Sequence, residues 1–165
     1  MPLRSRLTHA VGTDIIKLSR LARYAEFRAA LPFARRILTA RELAAFSAAD
    51  ITSERRVQFL ASRWAAKEAV IKTFPRRRLF HRDVEVYTRP EGAPFAVVLD
   101  RRADSRRDAV TTTSSKPDSP ALVARPEQLA PMLDGALVAL SIAHEDEYAV
   151  AVAVADVLPD EDDLT

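Results

Sequence analysis

The chain has 165 residues, 48% of them hydrophobic, a formal net charge of +2 and no cysteine. That length suits one domain with a real core, or two very small ones, and no apolar run is long enough to span a bilayer, which excludes a membrane-embedded protein. Without cysteine there are no disulfides and no thiolate metal sites, so Asp, Glu and His are the ligands left.

Taken in order, "HAVGTDII" (His9–Ile16) alternates as a strand, with Asp14 near its end. Leu18, Leu21, Ala22 and Ala25 keep helical spacing, which predicts a helix from Leu18 to Ala30. Thr39 with Glu42 three residues on forms a capping box, so a second helix should run from Ala40 to Ala48. A long helix is expected from Thr52 to Phe74, where Pro75 stops it. The period then becomes two. "VEVY" (Val84–Tyr87) and "FAVVL" (Phe95–Leu99) read as strands joined by the turn "RPEGAP". Residues 101–120 are polar without an apolar period and read as an exposed loop insertion. "ALVALSIA" (Ala136–Ala143) and "YAVAVAVA" (Tyr148–Ala155) form a strand pair about "HEDE", and 156–165 is an acidic tail. The order implies a single α+β domain over 1–165, an antiparallel sheet packed on a long central helix.

Charge is unevenly spread. Arginines cluster at Arg76-Arg77-Arg78 and at Arg101-Arg102 with Arg106-Arg107. Such clusters are solvated faces or landing sites for phosphates or an acidic partner. The start, "MPLRSRLTHA", carries two arginines and no acid, a faint transit-like feature. Cytoplasm and mitochondrial matrix suit the chain equally.

The stretch "RWAAKEAVIK" (Arg63–Lys72) holds an anomaly. At about 100° per residue, Leu60, Ala61, Trp64 and Ile71 fall within about 60° of Val57, and Glu68 within about 20°. Glu68 is therefore expected in the middle of the apolar stripe, with Phe59, Ala66 and Val70 on a second strip opposite. A buried carboxylate needs a partner: an arginine, or a metal ion, or a proton to move. Asp14 is a second acid of this kind, although it could also cap the helix after it. Two carboxylates from a strand end and a helix repel unless a cation lies between them. With oxygen ligands that cation is most simply Mg²⁺. Lys67 and Lys72 stand beside Glu68 and suit a pyrophosphate, though Glu68 and Lys72 also fit an ordinary i,i+4 ion pair.

"GTDI" with Arg20, "FARRILTARE", "RWAAKEAVIK", "FHRDVEVYTRPEGAPFAVVL" and "LSIAHEDEYAVAVAVA" follow the order seen in holo-acyl-carrier-protein synthases. The chain resembles these short 4′-phosphopantetheinyl transferases over residues 10–99 and 136–155. The resemblance implies transfer of the phosphopantetheine arm of coenzyme A to a serine of apo-acyl carrier protein, with release of 3′,5′-ADP. It implies Mg²⁺ on Asp14 and Glu68 and phosphate charge met by Lys67 and Lys72. It places His144 and Arg63 around the 3′-phosphate and adenosine. It makes Arg20 a contact for acidic side chains of the carrier protein, extended by Arg36, Phe33 and Trp64. It also implies a homotrimer with sites between subunits. The sequence does not settle the base; Glu68, acting through a water, is the candidate. One departure stands out: a glycine-rich turn that would bring N–H groups to a phosphate is replaced by "KTFPRRRLF", where Pro75 donates none. Arg76, Arg77 or Arg78 is the expected substitute.

Two other readings use the same residues. One is a different Mg²⁺-dependent phosphoryl-transfer or nucleotide-hydrolysing enzyme. The other is a non-enzymatic basic module for nucleic acid, for which the chain lacks a recognisable motif.

Overall fold

The computed structural model describes residues 8–48, 52–99, 122–129 and 135–156. Its elements are β1 (His9–Lys17), a 3-10 helix (Leu18–Tyr24), α1 (Phe27–Ile37), α2 (Ala40–Ala48), α3 (Ser53–Thr73), a 3-10 turn (His81–Asp83), β2 (Val84–Thr88), β3 (Pro94–Leu99), α4 (Pro126–Leu129), β4 (Gly135–Glu145) and β5 (Tyr148–Asp156). The strands make one antiparallel sheet in the order β1-β5-β4-β3-β2, so the α+β reading holds.

Local chemistry explains most of these boundaries. The Thr39–Glu42 capping box forms as spelled: Glu42 Oε2 accepts from Thr39 N at 2.9 Å, and Thr39 Oγ1 from Glu42 N at 3.3 Å. Thr52 Oγ1 accepts from Arg55 N and starts α3, which ends just before Phe74 and Pro75. At the β2–β3 turn Gly92 takes φ +96°, open to glycine at little cost.

The helix expected over 18–30 is not one helix. Leu18, Leu21 and Tyr24 lie three apart, the repeat of a 3-10 helix, and they put Leu21 into the core with the other two against it. The chain is extended at Glu26, then α1 runs on to Ile37 straight through Pro32, which sits on its exposed side. Ala30, Ala34 and Ile37 form its buried stripe.

Helix α3 lies across β1 and β5. The contact is built of small residues: Ala65, Ala66 and Ala69 of α3 and Ala149, Ala151, Ala153 and Ala155 of β5 are buried in one core. Gly12 of β1 comes against the α3 backbone at Ala69. The far face of the sheet is different. Alternation turns Val11 and Ile15 of β1, Leu137 of β4 and Val152 of β5 away from α3, and all are exposed. Among the described residues only its β3 end is covered, where Leu129 of α4 packs on Tyr87, Phe95 and Val97. The loop expected at 101–120 and nearly all of the acidic tail lie outside the described residues. No described helix is long and apolar enough to cross a membrane.

Candidate active site

Asp14 sits on β1 opposite Ala151 of β5, three residues before the strand ends. It does not cap the following 3-10 helix, whose N-cap is Lys17. Its Oδ1 instead accepts from Lys72 Nζ at 2.9 Å, and Nζ also donates to the carbonyl of Thr13 at 2.7 Å. Asp14 is mostly shielded while the Lys72 side chain is 49% exposed. The i,i+4 pair of Glu68 with Lys72 is thus replaced by a pair across two elements.

Glu68 is not in the middle of a buried stripe. The buried side of α3 runs through Leu60, Ala61, Ala65, Ala66, Ala69 and Val70, and Val57, Trp64, Glu68 and Ile71 are only partly covered. Counting angles placed the stripe wrongly because the sheet covers one side of α3 and the end of α1 and β2 cover another. Among the described residues Glu68 meets no arginine. Its Oε1 lies 2.8 Å from Nε2 of His81, in the turn before β2. That distance suits a hydrogen bond but the alignment does not, and Nε2 is left buried without a hydrogen-bond partner. Burial pushes the His81 imidazole below its usual pKa, against the pull of the Glu68 carboxylate and, more weakly, of Asp14. His81 thus lies within the field of both acids.

A row of rings fixes this turn. Tyr24 stacks on Phe33 at 4.5 Å, Phe33 on Trp64 at 5.5 Å, and Trp64 meets His81 at 4.6 Å. Phe33 and Trp64 are thus half-buried members of a packed row, whereas Arg20 and Arg36 are exposed.

Lys67 leaves the phosphate-binding set. Its side chain is fully buried, and Nζ donates to Glu42 Oε2 at 2.5 Å and to the carbonyls of Ile37, Val84 and His81 at 2.7, 2.7 and 3.1 Å. An ammonium has three hydrogens, so none is spare for a ligand. Burial lowers the Lys67 pKa and Glu42 opposes the shift. Arg63 is turned inward too, with Nε 3.5 Å from Glu42 Oε1 and its guanidinium 4.7 Å above the Phe59 ring. Glu85 continues this polar cluster, accepting from Thr39 Oγ1 at 2.5 Å and from the Tyr87 hydroxyl.

His144 stands elsewhere. Ser62 Oγ gives its one hydrogen to the carbonyl of Gln58 at 2.6 Å, so His144 Nε2, at 2.5 Å, donates to Ser62. A cavity of about 500 Å³ opens there, lined by Phe46, Arg55, Gln58, Phe59, Ser62 and His144. Ser62 and Glu68 are six positions apart, about 9 Å along the helix and about 240° round it. Within one chain His144 therefore does not join Asp14, Glu68 and Lys72.

Residues 10–122 match the 4′-phosphopantetheinyl transferase superfamily. The chain belongs to that family. It is 33% identical over 147 residues to the holo-acyl-carrier-protein synthase of Shewanella amazonensis, covering 87% of this chain and 94% of that one. With the synthase of Bacillus pumilus it shares 32% over 118 residues, 70% and 94% of the two chains. Its fold is similar to the Bacillus anthracis synthase solved in complex with CoA (3′,5′-ADP), with a TM-score of 0.55, 25% identity and coverage of 90% and 96%.

The transferase thus brings Asp14, Glu68 and Lys72 to one crossing, and adds His81, which the sequence did not single out. No periodic signal could have found it, because a turn residue reaches the helix only through tertiary contact. Among the described residues no three His, Asp or Glu side chains already stand together as a finished ion site.

Proposed function

We propose that the chain moves the 4′-phosphopantetheine arm of coenzyme A onto a serine of an apo-acyl carrier protein, with 3′,5′-ADP leaving. The observation that carries this reading is the crossing of β1 over α3 at Gly12 and Ala69, which delivers Asp14, Lys72 and Glu68 to one region. The residues fit a hard divalent ion, Mg²⁺: both acids are oxygen donors, both are partly exposed, and their charges converge on one imidazole. Mg²⁺ would supply charge neutralisation at the diphosphate.

The chain's own groups do the rest. The serine oxygen forms a bond to the phosphorus that carries pantetheine as the bridging P–O bond to ADP breaks; the serine proton passes through a water to Glu68, and negative charge moves onto the leaving phosphate. Lys72, half exposed on a flexible stem, can turn from Asp14 to a phosphate oxygen there. Arg76, Arg77 and Arg78, exposed just beyond Pro75, take the place of the missing glycine turn. Arg20 and Arg36 present cations to an acidic carrier surface.

We infer a homotrimer with shared sites. Two features support it: the exposed apolar row Val11, Ile15, Leu137 and Val152, and the separation of His144 from Glu68 within one chain. The deciding experiment incubates the protein with coenzyme A, Mg²⁺ and an apo-carrier protein and weighs the carrier. A gain of one phosphopantetheine arm, abolished in Asp14→Asn, is expected; no gain would overturn the reading.

A further inference from the structure

We propose that Nε2 of His81 is itself a ligand, beside the Glu68 carboxylate, for the divalent ion of this site. The transferase would then hold a first-row transition ion such as Mn²⁺ or Co²⁺ more tightly than Mg²⁺. The inference rests on the reading that Asp14 and Glu68 serve a divalent ion.

Three observations converge. First, Nε2 is a buried nitrogen whose one facing acceptor, Glu68 Oε1, is out of line for a good hydrogen bond, which leaves its lone pair poorly used. Second, it stands 2.8 Å from Glu68 Oε1 without hydrogen-bond alignment. Neighbouring ligands on an octahedral ion, with bonds of about 2.1 Å, stand about 3 Å apart, so this pair already has the spacing of one edge. Third, His81 is fixed at its backbone and at its ring. Lys67 Nζ donates to the His81 carbonyl at 3.1 Å, and the ring lies 4.6 Å from that of Trp64. The turn itself is tied by Asp83, which accepts from Phe80 N at 2.7 Å.

The chemistry of the donor sets the preference. Carboxylate and water suit Mg²⁺, whereas imidazole favours transition ions, whose affinity rises from Mn²⁺ towards Co²⁺. Asp14 Oδ1 is held by Lys72 in this conformation, so Glu68 and His81 are the pair already in contact.

The test uses the full chain and Mn²⁺ alone. Electron paramagnetic resonance of added Mn²⁺ gives the dissociation constant from the loss of the free-ion signal, and spin-echo modulation at the nitrogen frequency reports a bound imidazole. Trp64, the chain's single tryptophan, should lose fluorescence as the ion fills the site. In His81→Phe, which keeps a ring against Trp64, the nitrogen modulation should vanish and the dissociation constant rise by about tenfold or more. His81→Gln, checked for an unchanged melting midpoint, should lose the modulation as well. Failure of Mn²⁺ to bind overturns the proposal, as does absence of nitrogen modulation. So does modulation that survives in His81→Phe, which would come from His9 or His144. Weakened binding in the variants without nitrogen modulation in the parent also overturns it, leaving His81 to position Glu68. The carrier assay separates the two readings. Modulation without transfer leaves this inference standing and removes the function; transfer without modulation does the reverse.

Discussion

A methyl group on Gly12 would stand 2.0 Å from the carbonyl oxygen of Ala69. Glycine lets β1 come down onto the α3 backbone, and Asp14 two residues further and Glu68 one residue before inherit their separation from that contact. Gly12→Ala must push strand and helix apart. Overpacking of this kind costs about 1–3 kcal/mol, which in a chain of this size lowers the melting midpoint by roughly 3–10 °C. The Mg²⁺ needed for half-maximal transfer should rise as well. A variant that melts and turns over like the parent would show that the close approach does not set the site.

Lys67→Met removes the nearest cation of a fully buried pair and leaves Glu42 with only Arg63 and the N–H groups of Thr39 and Val86. Breaking such a pair costs about 3–5 kcal/mol. Adding Glu42→Leu should not restore the midpoint, because Arg63, Thr39 N and Val86 N then lose their acceptor. The KM for coenzyme A should stay within twofold in protein that remains folded. An unchanged melt with a raised KM would return Lys67 to the phosphate.

Arg77 and Arg78 lie over the rings of Phe74 and Phe80 with their charges exposed. Replacing Arg76, Arg77 and Arg78 together by alanine should raise the KM for coenzyme A about tenfold, at about 0.5 kcal/mol for each exposed contact, with kcat little altered. An unchanged KM would leave the missing glycine turn without a substitute.

His144 hydrogen-bonds Ser62 on a different side of α3 from Glu68. If the sites are shared, chains carrying His144→Ala and chains carrying Glu68→Ala, each inactive alone, should regain partial activity when unfolded and refolded together. Mixtures no more active than either parent would confine the site to one chain.

The strands, the capping box at Thr39 and the stop at Pro75 were legible because each is written in neighbouring residues. The angular count singled out Glu68 but set it in mid-stripe, where the folded helix leaves it only partly covered. Tertiary contacts hid the rest. Pro32 disguised the stripe of Ala30, Ala34 and Ile37 as something other than a helix. Lys67 reads like a phosphate ligand in sequence, and only the end of α1 and the start of β2, folded over it, reveal an internal tie. The same folding places His81 on Glu68 across 13 positions of chain.

The contrast between two neighbouring amines has a practical outcome. Lys72 is 49% exposed and Lys17 41%, whereas Lys67 is sealed. Amine-reactive esters should acylate the first two on the native protein and spare the third, so the peptide bearing Lys67 takes up label only when the chain opens. Mass spectrometry of that peptide would then serve as a built-in gauge of unfolding, usable without purification.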